Sequence, residues 1–181
     1  IVPKTDVRMD KLMTENEFKR MAKSGELNNY RVIHLSSHAS VHRYVFDLSG
    51  IAFSVPANPV DGEDGILVIK ELEKLKFKTD FVMLSACQTG LGQIIPGEGV
   101  IGLNSALFSA GAKNTLTSLW SVNDYATSIF TTNLYTKIFT ENKPYKDAVN
   151  EVKREFINGK YNTNFDVSHP NYWAAFTYFG E

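Results

Sequence analysis

The sequence predicts an α/β fold in which helices cover both faces of a mainly parallel sheet. Short β-rich runs alternate along the chain with segments of helical periodicity, which is the pattern of such folds. The run 81–85 (FVMLS) is almost continuously apolar, as is typical of a strand buried on both faces. With 181 residues, 43% of them hydrophobic, the chain can bury a substantial core, and we expect one domain.

Five elements are predicted before that strand. Residues 14–23 are expected to form a helix, because a threonine N-cap is followed three residues later by glutamate, as in a capping box. Residues 31–36 (RVIHLS) are β-rich and predict a strand. Short strands at 44–47 and 51–54 flank a serine–glycine pair, which indicates a hairpin. Residues 67–75 have the apolar spacing of a short amphipathic helix.

Five further elements are predicted after it. Residues 100–110 have helical periodicity and are followed by glycine, which favours a helix. Residues 114–119 predict the next strand. Helices are predicted over 124–140 and 144–157, and the second begins with proline, which suits the first position of a helix. The tail 172–179 (YWAAFTYF) is apolar enough to be the last core element.

The charge balance and the cysteine content exclude several classes of protein. The chain has 19 Lys and Arg against 20 Asp and Glu, so it lacks the basic excess of a nucleic-acid or anionic-membrane binder. No apolar run approaches the roughly 20 residues that span a bilayer, and no signal peptide opens the chain. Cys87 is the single cysteine, which excludes an internal disulfide and a four-cysteine zinc site. We expect a cytoplasmic protein.

His38 and Cys87 are the candidate catalytic residues. Each follows a predicted strand by a few residues, and parallel sheets bind ligands at the carboxyl ends of their strands. If the two strands are neighbours, an imidazole and a thiol meet at one edge, where the imidazole can help to form a nucleophilic thiolate. The glycine-rich loop 86–99 allows the close backbone approach that an oxyanion hole needs. The alternative is that Cys87 is an inert core residue.

Two other kinds of site are disfavoured. His34, His38 and His42 recur every four residues, but the segment is predicted as a strand and its exit, and the glutamate of the metalloprotease helix is missing. His34 is expected to be a core histidine or one that supports the site. The stretch 97–102 (GEGVIG) matches a dinucleotide-binding pattern, although a long loop precedes it and Glu98 would oppose a pyrophosphate. Nucleotide binding through this loop is kept as a further alternative.

Four segments carry a resemblance to a known family. They are 34–39 (HLSSHA), 84–92 (LSACQTGLG), 97–124 (GEGVIGLNSALFSAGAKNTLTSLWSVND) and 169–181 (HPNYWAAFTYFGE). In these segments and their spacing the chain resembles the CHAT domains, which are caspase-like cysteine peptidases of clan CD related to separase. The resemblance implies a three-layer α/β/α caspase-like sandwich. It also implies a single domain over 1–181, in the C-terminal part of a longer chain, with 1–29 as an N-terminal helix and lead-in.

The same resemblance implies the chemistry and the residues that perform it. The second histidine of an H-x-x-x-H strand exit is the general base and falls on His38, while the nucleophile falls on Cys87. A peptide bond is then hydrolysed through an acyl-enzyme, and backbone amides at Cys87 and Ala39 hold the oxyanion. Ala39 stands where the family usually has glycine, and a positive φ there would be strained by its Cβ. No cofactor is implied.

Asp124 and Glu98 are candidates for substrate binding. In separase-like relatives an acidic residue after the tryptophan strand lines the pocket for a basic P1 side chain, and Asp124 matches that position. Alternatively, Asp124 caps the helix that begins at Tyr125. Glu98 is expected either to form a wall of the pocket or to hold its loop.

The partners that the resemblance implies are a protein or peptide substrate and an upstream regulatory domain of helical repeats, such as tetratricopeptide units. Neither nucleic acid nor a membrane is expected as a partner. The alternative function is a non-catalytic caspase-like module that holds a peptide or a partner subunit in the same cleft.

Overall fold

The computed structural model describes residues 5–9, 12–40, 45, 48–58, 62–85, 93–95 and 99–181. The strands are β1 (Val32–Leu35), β2 (Ala39–Ser40), β3 (Gly50–Ala52), β4 (Ile66–Val68), β5 (Phe81–Leu84), β6 (Gln93–Ile95), β7 (Gly99–Ile101), β8 (Thr115–Ser118) and β9 (Phe176–Phe179). The α-helices are α1 (Glu15–Lys23), α2 (Ile69–Leu72), α3 (Leu103–Ala110), α4 (Asp124–Tyr135) and α5 (Tyr145–Ile157). Short 3-10 helices span Glu26–Asn29 and Pro170–Tyr172, and a π-helix, Thr136–Thr140, directly follows α4.

The central sheet has the strand order β1-β5-β8-β9. Strands β1, β5 and β8 are parallel, and β9 runs antiparallel to β8 at the edge. Beyond the last paired residues of β1 and β5, the backbone N–H of Ser85 donates to the carbonyl of Leu35 at 3.1 Å. The predicted mainly parallel sheet is confirmed.

The two faces of this sheet bury two separate apolar cores. Ile33 and Val82 point to the face covered by α1, α2 and α3. Met83 and Leu116 point to the opposite face, covered by α4, the π-helix and α5. Successive strand residues alternate between the faces, so the central strand β5 supplies both cores. The result is the three-layer α/β/α sandwich that the resemblance implied.

A second sheet, with the order β2-β3-β4, lies beside the exit of β1 and is antiparallel throughout. Gly50 belongs to β3 and pairs with Ser40 and Val68, so the turn predicted at this glycine is wrong. A Cβ at Gly50 would lie 2.5 Å from the backbone oxygen of Leu67, which is why β3 and β4 can approach only with glycine here. Of the predicted strand 44–47 only Val45 is described, and it is outside regular structure.

Three other predicted elements change type part-way along their length. The stretch 67–75 begins as strand β4 before α2, and 100–110 begins as strand β7, which pairs with β6, before α3. The stretch 124–140 is α-helical only to Tyr135 and continues as the π-helix. In the first two cases apolar β-branched residues satisfy a strand as well as a helix, so periodicity alone does not separate them.

The helix predicted at 14–23 is confirmed as α1, together with its N-cap. The hydroxyl of Thr14 accepts a hydrogen bond from the backbone N–H of Glu17 at 3.2 Å. The carboxylate of Glu17 binds Arg8 and Arg20 by ion pairs of 2.6 and 2.7 Å. Within the part of the chain that the structure describes, no helix has both the length and the apolar character that crossing a membrane requires.

Candidate active site

A polar cleft of about 420 Å³ opens at the carboxyl edge of the parallel strands, where α4 packs against the sheet. Its hydroxyl-bearing residues come from the strand ends, at Ser36, Ser85 and Ser118, and from α4, at Thr127, Ser128, Thr131 and Thr132. This edge is where a parallel sheet with crossover connections leaves room for a ligand. The cleft therefore lies at the sheet edge at which the sequence predicted the chemistry, although His38 is not among the described residues that line it.

His38 follows β1 at this edge, and its side chain is exposed. Its backbone is fixed by β3, because the N–H of Ala52 donates to the carbonyl of His38 at 2.8 Å. The hydroxyl of Ser37 donates to the carbonyl of the same Ala52. Two hydrogen bonds to one residue thus hold the loop that carries the imidazole.

Cys87 and Glu98 lie outside the described residues, as does His42. Ser85 is the last described residue before Cys87 and follows β5 directly. Because β1 and β5 are parallel neighbours, the chain leaves both of them at the same edge. The condition on which the predicted approach of His38 to Cys87 depended, that their strands are neighbours, is met.

Ala39 is the first residue of β2 and pairs with Ile51 of β3. Among the described non-glycine residues only Asn142 has a positive φ. Ala39 therefore has none of the left-handed strain that a Cβ would cause at this position. Substitution of the glycine that the family usually has here leaves the backbone unstrained.

Asp124 lines the cleft and is exposed. The N-cap of α4 is its neighbour Asn123, whose side-chain oxygen accepts from the backbone N–H groups of Tyr125 and Ala126 at 3.0 and 3.3 Å. Asp124 is the first residue of the helix, where a negative charge is favourable because the backbone N–H groups point towards it. The capping task that the sequence left open for Asp124 is performed by Asn123.

His34, expected from the sequence to be a core histidine or one that supports the site, lines the cleft. Its Nε2 atom lies 2.7 Å from the hydroxyl of Ser85, and its ring meets that of Tyr135 edge-on with centroids 5.8 Å apart. Burial lowers the pKa of His34 to about 4, so its imidazole is neutral at neutral pH. The alternation of β1 was the available signal: Ile33 and Leu35 face one core, which turns His34 to the other face.

Thr131 of α4 lines the cleft. The side-chain oxygen of Thr131 is buried and has no hydrogen-bond partner among the described residues. Thr131 is two turns, or about 10 Å, further along α4 than Asp124. Within the described ranges, no group of three or more His, Cys, Asp or Glu side chains is arranged to hold a metal ion.

The two tryptophans bind backbone carbonyls through their indole N–H groups. Trp120 donates to Asn171 at 3.2 Å, and Trp173 donates to Ser168 at 2.9 Å. Trp173 also packs against the core under α4 and α5. These contacts hold the segment before β9 against the sheet.

Comparison with known proteins identifies the family. The family model described as the CHAT domain matches residues 2–181. The chain belongs to the CHAT domain family. This family is related to caspase-like peptidases, in agreement with the mainly parallel α/β sheet and the position of the cleft. The protein is also 28% identical to Tetratricopeptide repeat protein 28 of Mus musculus over 115 residues, which is 64% of this CHAT chain and 4% of that relative. The chain thus spans only a small part of the length of the curated relative it matches.

Proposed function

We propose that this CHAT domain is a cysteine endopeptidase in which His38 and Cys87 form the catalytic dyad. The observation that carries the proposal is the parallel pairing of β1 with β5, since these strands precede the two residues and end at the same edge. A cleft at that edge supports it, because its lining includes Ser36 and Ser85, which directly follow these two strands.

The proposed reaction has two steps. The thiolate of Cys87 attacks the carbonyl carbon of the scissile peptide, and the imidazolium of His38 gives its proton to the leaving amine. Water then attacks the acyl-enzyme while His38 takes up a proton from it, which releases the acid and restores the thiolate of Cys87 and the imidazolium of His38. Backbone amides at Cys87 and Ala39 donate to the oxyanion, and one such donor is typically worth about 10²–10³ in rate. The anchoring of His38 through Ala52 supports this role, since a general base must be held in place.

The proposed substrate has a basic P1 residue. The carboxylate of Asp124 would pair with a lysine ammonium or an arginine guanidinium in the cleft. Because Asn123 caps α4, the Asp124 carboxylate is not engaged as the cap. Glu98 is proposed as part of the wall of the same pocket.

Regulation by upstream helical repeats is part of the proposal. The name of the mouse relative describes that protein as a tetratricopeptide repeat protein, and this chain matches only a small part of it. We infer that, in the full-length protein, repeats of this kind precede the domain and control access to the dyad.

The test is cleavage profiling with a peptide library, using the full-length protein and its Cys87→Ala and His38→Ala variants. We expect cleavage after Arg or Lys, loss of cleavage in both variants, and labelling of Cys87 by an acyloxymethyl ketone with a basic P1 group. Retained cleavage in Cys87→Ala would refute the proposal. Peptide binding without turnover by the full-length wild type would instead support the non-catalytic module.

A further inference from the structure

The side chains of His34 and Ser85 join the carboxyl ends of the two strands that precede the proposed dyad. Their atoms Nε2 and Oγ are 2.7 Å apart, although the residues are 51 positions apart in the chain. The backbone N–H of Ser85 also donates to the carbonyl of Leu35 at 3.1 Å. Ser85 is therefore held to β1 twice, through its backbone and through its side chain.

The imidazole of His34 is itself held from the other side of the cleft. Its ring packs edge-on against Tyr135 near the end of α4, and the hydroxyl of Tyr135 contacts the sulfur of Met83 at 3.7 Å. A polar ring that is partly buried loses hydration, which costs free energy unless the ring makes a hydrogen bond, and an apolar residue would pack here without that cost. The hydrogen bond with Ser85 is the polar interaction that offsets this cost.

In the proposed peptidase, the contact between His34 and Ser85 would orient the chain that leads to Cys87. Ser85 is two residues before Cys87, and two residues of chain reach at most about 7 Å. A rotation of about 10° in the direction of the chain at Ser85 would therefore move the attachment point of the thiol by about 1 Å. Displacements of about this size are enough to lower the rate of a catalysed reaction about 10²-fold.

We propose that His34 is a positioning residue that acts through the hydroxyl of Ser85 on the segment carrying Cys87. This inference rests on the proposed peptidase function. His34 does not exchange protons with the substrate in this scheme, because its Nε2 is occupied by Ser85 and its imidazole stays neutral. Proton transfer remains with the exposed His38.

The experiment uses four variants of the full-length protein: His34→Phe, which keeps a ring but no hydrogen bond, His34→Gln, which keeps a polar group, Ser85→Ala, and the double variant His34→Phe/Ser85→Ala. The matched controls are His169→Gln and Ser109→Ala. The histidine of the first is at the surface and caps the 3-10 helix, and the serine of the second is exposed on α3. Thermal unfolding shows which variants are folded, and Ser85→Ala, the smallest change, tests the proposal if His34→Phe fails to fold.

The first readout is steady-state kinetics with a basic peptide substrate. We expect His34→Phe and Ser85→Ala each to lower kcat about 10–100-fold with KM within about 2-fold, and His34→Gln to recover part of the loss. The double variant should be no slower than the worse single variant, because both substitutions remove one interaction. The two controls should stay within about 2-fold of the wild type. Additive losses, or an unchanged kcat in both single variants, would overturn the proposal.

The second readout does not need peptidase activity. Cys87 is the single cysteine, so the rate of alkylation by iodoacetamide reports on this thiol alone. We expect His34→Phe and Ser85→Ala to slow alkylation at pH 7 several-fold, since a displaced thiol loses the neighbours that stabilise its thiolate. If the wild type cleaves no peptide but its variants still slow the alkylation of Cys87, the proposed peptidase activity is refuted and the positioning role of His34 stands. Loss of the acid limb of the pH–rate profile in His34→Gln would make His34 the base and overturn the inference.

Discussion

The side-chain oxygen of Asn123 accepts a hydrogen bond from the backbone N–H of Tyr125 at 3.0 Å and so begins helix α4. Asp124, between these two residues, is the first residue of the helix and lines the cleft. Adjacent positions thus perform separate tasks, one for the stability of the helix and one for the charge of the cleft. The two tasks can be separated by substitution.

We expect Asn123→Ala to lower the free energy of unfolding by about 1 kcal/mol, as loss of an N-cap typically does, with little change in P1 preference. Asp124→Asn should leave the stability within about 0.5 kcal/mol and strongly reduce cleavage after Arg and Lys. Urea denaturation and a peptide series that differs only at P1 measure the two effects. If Asp124→Asn keeps an undiminished preference for basic P1 residues, Asp124 does not bind the P1 side chain.

The stability of the fold should depend on pH through His34. Burial lowers its pKa in the folded state to about 4, while the unfolded chain takes up a proton near the ordinary value of 6.5. Between these values the unfolded state binds more protons, so stability is lost as the pH falls from about 6.5 towards 4, by up to about 3 kcal/mol. Urea unfolding at several pH values should show that His34→Gln lacks this part of the pH dependence.

His169→Gln is the control for that comparison, because its histidine is exposed at the surface. This variant should keep the pH dependence of the wild type. A His34→Gln variant whose stability falls with acid as steeply as that of the wild type would show that the ring of His34 is not desolvated in the folded protein.

Gly50→Ala tests the second sheet as the support of His38. The added Cβ would lie 2.5 Å from the backbone oxygen of Leu67, so β3 must move away from β4. We expect a loss of about 2–3 kcal/mol in stability, and a lower kcat because Ala52 of the same strand binds the backbone of His38. Unfolding and peptide cleavage measured on one preparation give both values.

Gly62→Ala is the matched control for Gly50→Ala. Gly62 has a φ of +85° and no atom within 4 Å of an added Cβ, so the substitution causes backbone strain of about 1 kcal/mol without a collision. Its kcat should equal that of the wild type. If the two variants are equally stable and equally active, the close approach of β3 and β4 is not needed to hold His38.

Asn104 joins α3 to β8 inside the protein. Thr115 donates to its side-chain oxygen at 2.8 Å, and its side-chain nitrogen donates to Thr117 at 3.2 Å, with all three residues buried. Asn104→Ala should lower the free energy of unfolding by about 2–3 kcal/mol, because both hydroxyls lose their partner. The neighbouring Ser105 is exposed, and Ser105→Ala should change stability by less than about 0.5 kcal/mol. Equal effects in chemical denaturation would contradict the buried network.

Some elements could not be predicted because a local pattern fits more than one structure. The serine–glycine pair before Ile51 predicted a turn, yet β3 pairs with partners on both sides, and one of them, Ala39, precedes it by more than ten residues. The apolar run at 99–101 satisfied a helix as well as the strand β7 that it forms. The choice in each case depends on which distant segment supplies the hydrogen bonds, and periodicity does not contain that information.

The sequence by itself determined the α/β class, the parallel strands that end before His38 and Cys87, and helix α1 with its N-cap Thr14, because hydrophobic alternation and capping residues are local properties of the chain. Only the tertiary structure decided that Ser85 meets His34, that Ala52 holds the loop of His38 and that α4 completes a polar cleft. These contacts join residues far apart in the chain, and their partners are selected by the packing of helices on the two faces of one sheet.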